Sequence, residues 1–275
     1  MRCFRKRSDE MKRILIFVLL FMMGISLAHG EEMPPWEYPL APEILADYGD
    51  YIILTNRETL LSKDYEPDDL VKVTAKKASS VAMELREDTN HAINAMFEAA
   101  KADGYTLYVK SAYRSYQTQN SMYDNRLKKY GYDDGLVAYP GSSDHQTGLG
   151  VDILNYEWTQ KDGMNEKFAA EAEAKWMEEN CHKFGFILRY MEDKEEITNI
   201  KYEPWHFRYV GLEAAAYIME NHLSLEEFTE EYKAYIASYE AMGGDFEALL
   251  KKRSEIRSVV ICVTEDGEEE LSIGY

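Results

Sequence analysis

The stretch Ser143–Asp152, S-D-H-Q-T-G-L-G-V-D, constrains this chain most. It offers His145 and Asp152 at a fixed spacing, just before an apolar run that reads as a buried strand. Gly148 and Gly150 permit close backbone approach there. A second short stretch, E-P-W-H from Glu203 to His206, adds a carboxylate and another histidine. Two histidines and one aspartate can hold a zinc ion and leave its fourth position open to water. Glu203 is then a spare carboxylate beside the third ligand, and hydrolysis at such a site needs a base.

Neither half of this pattern is specific alone, because H-x6-D and E-x-x-H both recur by chance. Together they complete three ligands, His145, Asp152 and His206, and a base, Glu203. His91, His182 and His222 lie in no comparable motif and are read as surface or satisfied residues. Arg114, between two aromatic residues, is either a structural ion-pair partner or a guanidinium that stabilises an oxyanion. Ser143 is a turn residue or a donor to substrate. Trp205 reads as packing against the ligands, and Asp144 as a loop carboxylate.

The apolar fraction is 45%, enough for a sizeable core. The formal net charge of -19 argues against nucleic acid and against anionic membrane surfaces, both of which need basic patches. Residues 1–30 read as a signal peptide: a basic start, an apolar run from Ile14 to Ala28, and a cut after Gly30. The expectation is a secreted or extracytoplasmic chain with no stable membrane span after cleavage. An uncleaved anchor is the alternative. Cys181 reads as a buried thiol. A disulfide to Cys262 is open in an oxidising compartment but not specified by two cysteines.

Along the chain, residues 31–53 hold four prolines and read as an extended lead-in, with Tyr51–Leu54 a short strand or packed segment. Residues 56–70 read as loop. The spacing of Leu85, Ile93, Met96, Phe97 and Ala100 predicts a helix over 81–102, stopped by Asp103-Gly104. Strands are expected at 105–109, 148–154, 186–190 and 202–209, and helices at 115–130, 167–184 and 212–221. Ser224, with Glu227 three residues on, reads as a capping box. Residues 228–252 carry a helical stripe, and 258–275 read as a hairpin turning at Asp266-Gly267. The expected division is a core domain over 54–232 and a C-terminal extension over 233–275 to which no role is assigned.

S-x-H-x-x-G-x-x-x-D followed by E-P-W-H resembles the zinc D-alanyl-D-alanine carboxypeptidases of the VanY type. S-A-Y-R-S-Y-Q-T-Q is similar to the family's S-G-Y-R-S block, with Ala112 in place of the glycine. F-G-F-I-L-R-Y and residues 56–70 also resemble the family. The resemblance implies an α+β fold, a small antiparallel sheet with helices on one side, shared with Hedgehog signalling domains. It implies zinc on His145, Asp152 and His206, with Glu203 as base and Arg114 polarising the scissile carbonyl. Gln119, Ser143, Arg189 and Tyr190 fall where the family lines its substrate pocket. The implied reaction removes the terminal D-alanine from peptidoglycan stem peptides. Cleavage of L,D bonds in tetrapeptide stems, cleavage within cross-links, and a non-catalytic metal-containing binding module stay open beside it.

Overall fold

The computed structural model describes residues 33–46, 50–161 and 163–254. The expected signal peptide, Cys262 and the expected hairpin at 258–275 lie outside the described residues. The chain divides into two compact units, residues 38–235 and a smaller unit from the flanking stretches.

In the larger unit, β1 (Leu70–Lys72) and β2 (Glu84–Arg86) form an antiparallel ribbon with Val71 opposite Leu85. The helix α1 (Glu87–Ala102) follows directly and buries Ile93, Met96, Phe97 and Ala100 on one stripe. Helical spacing predicted a start near Val81. The strand takes 84–86 instead, where Leu85 alone is buried between an exposed and a half-buried neighbour. Tyr51–Leu54 forms no strand; its backbone accepts side-chain hydrogen bonds from Arg208, described below.

The main sheet begins with β3 (Leu107–Ser111). Ser115 caps α2 (Tyr116–Tyr130), its hydroxyl accepting from the Thr118 backbone at 3.3 Å. Then come β4 (Gly150–Asn155), α3 (Ala172–Asn180), β5 (Phe186–Leu188) and β6 (His206–Tyr209). The sheet order is β3-β4-β6-β5, every neighbour antiparallel. The helix expected over 167–184 is broken. Glu171 is extended and precedes α3 without a side-chain capping bond, and a 3-10 turn flanks the helix on either side, Glu166–Ala170 and Cys181–Phe184.

All six residues of β4 are buried. Its Val151, Ile153 and Leu154 share one core with Ile93, Met96, Val109, Met177, Phe186 and Phe207 from the surrounding helices and strands. A strand covered on both faces is held firmly, which suits a strand that carries Asp152. The helices α4 (Leu212–Glu220) and α5 (Leu225–Ala241) follow β6. The expected capping box starts α5: Glu227 N donates to Ser224 Oγ at 3.2 Å and Ser224 N donates to Glu227 Oε2 at 2.8 Å.

In the smaller unit, Trp36 meets the Tyr239 ring edge-on at 5.3 Å and lies 5.5 Å from Phe246. The helical stripe read over 228–252 is interrupted at Gly243-Gly244 and resumes over 246–254. No helix among the described residues is long and apolar enough to cross a membrane.

Candidate active site

Register brings the first two groups together. β4 pairs with β6 so that Asp152 stands directly opposite His206. His145 arrives from the 3-10 turn Asp144–Thr147 that leads into β4. Gly148 closes that turn at φ 70, a conformation L side chains rarely adopt, and a Cβ there would lie 2.9 Å from Arg86 Cγ. Gly150 is required for space: a Cβ would lie 2.9 Å from both the carbonyl carbon and Cβ of Asp144. The two glycines thus let the turn fold back tightly on the strand it feeds.

Three donor atoms converge. His145 Nε2 lies 3.3 Å from Asp152 Oδ1, and His206 Nδ1 lies 2.9 Å from the same oxygen. The three side chains are buried and their ligand atoms lie within 4.8 Å of one another. Bonds of ~2.0–2.1 Å on a tetrahedron place ligand atoms ~3.3 Å apart, so the spacing suits zinc. The imidazoles fit as well. His145 Nδ1 bonds the Ala112 carbonyl at 2.6 Å, which directs Nε2 inward, and Nε2 is buried with no hydrogen-bond partner. A buried ring nitrogen left without a partner is costly unless something binds it. These residues therefore fit a zinc ion.

The electrostatics agree. Burial, aided by the Arg114 charge, lowers the His145 pKa to about 4, so this ring is neutral and able to donate its lone pair. Burial also disfavours charge on His206, but Asp144, Asp152 and Glu203 outweigh it and raise its pKa to about 9 in the metal-free chain. A proton and a metal cation thus compete for the same cluster of carboxylates. Burial would raise Asp152, yet the two histidines hold it well below the usual carboxylate range.

Glu203 sits at the turn before β6, its backbone N–H bonded to the Tyr190 carbonyl at 3.1 Å. Its Oε2 lies 3.8 Å from His206 Nδ1. Burial raises its pKa to about 8, with His206 and Arg114 opposing and Asp152 assisting. Such a carboxyl can both take and return a proton near neutrality. Arg114 is tied instead to the 3-10 turn that carries His145, its backbone N–H donating to the His145 carbonyl at 3.1 Å. Its Nε is buried without a partner.

A cavity of about 200 Å³ opens over these groups. Arg114, Gln119, Ser143, Tyr190 and Glu203 line it beside the three candidate ligands. Gln119 donates through Nε2 to the Ala138 carbonyl at 2.7 Å and leaves Oε1 without a partner. Arg189 is different. It does not line this cavity, and its guanidinium is committed to Asp144 at 2.8 Å and to both oxygens of Glu226 at 2.7 and 2.8 Å. Sequence reasoning passed over Arg126, Met164 and Leu136, which also line the cavity. It also read Asp144 as a loop carboxylate, whereas that side chain is fully buried among arginines.

The family model for VanY, D-alanyl-D-alanine carboxypeptidase, matches residues 82–212. The Bacillus subtilis (strain 168) protein YodJ, named for a carboxypeptidase, is 41% identical over 189 residues, 66% of this chain and 68% of its own. The chain belongs to the VanY family of D-alanyl-D-alanine carboxypeptidases. The VanY-family match spans every candidate ligand together with Glu203 and Arg114. Among solved structures, the LD-carboxypeptidase LdcB is 42% identical with a TM-score of 0.60, covering 64% of this chain and 84% of its own. A VanY D,D-pentapeptidase solved in complex with Zn(II) is 34% identical with a TM-score of 0.54, covering 65% of this chain and 98% of its own.

Proposed function

We propose that this chain is a zinc-dependent D-alanyl-D-alanine carboxypeptidase that removes the terminal D-alanine of peptidoglycan stem peptides outside the cytoplasm. The observation that carries the reading is the convergence of His145 Nε2, Asp152 Oδ1 and His206 Nδ1 at the floor of a cavity that Glu203 also lines. The relatives' names supply the substrate class. An extracytoplasmic setting follows from that substrate, and a signal peptide over residues 1–30 belongs to the same proposal.

His145, Asp152 and His206 would hold the metal. When bound, zinc supplies Lewis-acid polarisation of the scissile carbonyl and lowers the pKa of water toward about 7. Glu203 accepts the proton that the attacking water gives up and passes it to the leaving amine nitrogen. Water thereby delivers hydroxyl to the carbonyl carbon and hydrogen to the nitrogen as the amide bond breaks. Arg114 turns its guanidinium toward the oxygen that gains negative charge, in a site where burial strengthens that interaction. Ser143 is a cavity hydroxyl able to donate to the terminal carboxylate, because Arg189 is already paired and Gln119 Nε2 already donates to Ala138.

The likeness to LdcB supports a second reading, cleavage of the L,D bond that ends a tetrapeptide stem. Chemistry at the metal is common to both. The test offers zinc-loaded protein a pentapeptide stem, a tetrapeptide stem and a C-terminally amidated pentapeptide, with products identified by mass spectrometry. Loss of one D-alanine from the pentapeptide, with the amidated peptide spared, is expected. Preference for the tetrapeptide transfers the assignment to the L,D reaction. Efficient cleavage of the amidated peptide refutes carboxylate recognition.

A further inference from the structure

His145 and His206 face the site through different ring nitrogens, and only the first has an evident reason. His145 Nδ1 is held by a backbone carbonyl, which leaves Nε2 for the metal. His206 offers Nδ1, so the ring must carry its proton on Nε2, and Nε2 has no hydrogen-bond partner within ordinary distance. The carboxylate facing it is that of Asp144, whose Oδ2 lies 3.8 Å away. That distance is too long for a direct hydrogen bond and short enough for a strong directional field.

Asp144 is unusual in how firmly it is fixed. Its side chain is fully buried. Oδ1 accepts from Thr55 Oγ1 at 2.8 Å and from Arg208 Nη1. Oδ2 accepts from Arg189 Nε at 2.8 Å, and the Tyr190 hydroxyl lies 3.5 Å from it. Both arginines are locked in turn. Arg208 Nη2 donates to the Tyr51 and Ile53 carbonyls at 3.0 and 2.8 Å. Arg189 makes a two-pronged pair with Glu226 in the first turn of α5. The two arginines and two carboxylates balance in charge. The cluster therefore does not need a proton on His206 to be neutral, and Asp144 Oδ2 is its atom that faces that ring. A Cβ at residue 150 would collide with Asp144, so the backbone packing also fixes its place.

Resting on the metal-site reading above, we infer that Asp144 is the positioning residue for His206: its arginine-locked carboxylate selects the tautomer protonated at Nε2 and so presents Nδ1 to the metal. Carboxylates behind metal-bound imidazoles orient the ring and raise its basicity. Here the carboxylate is itself anchored, through Arg189, to Glu226 some 80 residues downstream in α5. The segment after β6 thus has a role in the site without touching it.

Zinc affinity measured by chelator competition on the full chain tests this, comparing wild type with Asp144→Asn. A ~10- to 100-fold weakening is expected, the usual cost of losing such a partner. An unchanged affinity in the folded variant overturns the inference. Because Asn leaves the two arginines short of a counter-charge, a second measurement uses wild type alone. Nitrogen-15 spectra of the zinc-loaded chain should show His206 with its proton on Nε2, shifted downfield and slow to exchange with water. Zinc on Nε2 with the proton on Nδ1 would overturn the inference whatever the variant does. A wild-type chain that binds no zinc instead overturns the proposed function, which separates the two failures.

Discussion

Glu203 and Arg114 line one cavity with the ligand cluster, and each is held by a backbone bond to a neighbour in the site. The roles assigned to them are separable. Glu203→Gln keeps the three candidate ligands and removes only the proton acceptor. It should retain zinc by elemental analysis and lose turnover by at least ~10²-fold, the scale of general-base contributions. A Gln variant that turns over at the wild-type rate would make Glu203 structural. The candidate ligands and the carboxylate proposed as base were legible as a group in the sequence because each lies in a short motif whose residues stay together in the fold. Asp144 was not legible in the same way. Its partners Thr55, Arg189 and Arg208 lie 89, 45 and 64 residues away in the chain. One signal was available: Arg208 falls two residues after His206 in a strand, so both point to the same face. A charge on the ligand-bearing face of a strand asks for a partner.

At the scale of elements, two features carry the site. The first is the tight return of the 3-10 turn onto β4. Gly150→Ala adds one methyl group against the Asp144 backbone and should shift His145 and Asp144 together. Destabilisation of about 1–3 kcal/mol is expected, as for other overpacked positions, along with weaker zinc binding. Denaturant unfolding and chelator competition measure the two effects. The second feature is the start of α5. Ser224→Ala removes the cap and should cost about 1 kcal/mol. Glu227, the reciprocal partner, is partly buried, which raises its pKa, but the Ser224 N–H and Lys194 outweigh that and hold it below its ordinary value. A depressed folded value means this contribution is full above the unfolded value of about 4.3 and fades as pH falls through the folded one. The Ser224 hydroxyl also donates to Glu227 Oε2 at 2.9 Å, a bond that Ser224→Ala removes, so the gap between wild type and variant should narrow in acid and be complete at neutrality. Element types were mostly readable from periodicity and capping. The errors fell where short strands and 3-10 turns interrupt a helical spacing, at 84–86 and around Glu171, because tertiary pairing decides those positions.

For the molecule as a whole, the core and the site are one structure. β4 supplies Val151, Ile153 and Leu154 to the core and Asp152 to the ligand cluster. Cys181 belongs to that core, and burial raises its thiol pKa to about 12. Peptide mapping after thiol labelling at pH 8 should find Cys181 unmodified in the folded chain and modified only on denaturation. Labelling at the rate of an exposed thiol would contradict the burial. The most direct measurement is zinc titration of the metal-stripped full chain, followed by D-alanine release from a stem peptide ending in D-Ala-D-Ala. Release should be absent without metal, rise in proportion to added zinc and saturate at one zinc per chain. Undiminished release from the stripped chain, or no release from this stem or from a tetrapeptide stem at one equivalent of bound zinc, would contradict a catalytic zinc held by His145, Asp152 and His206.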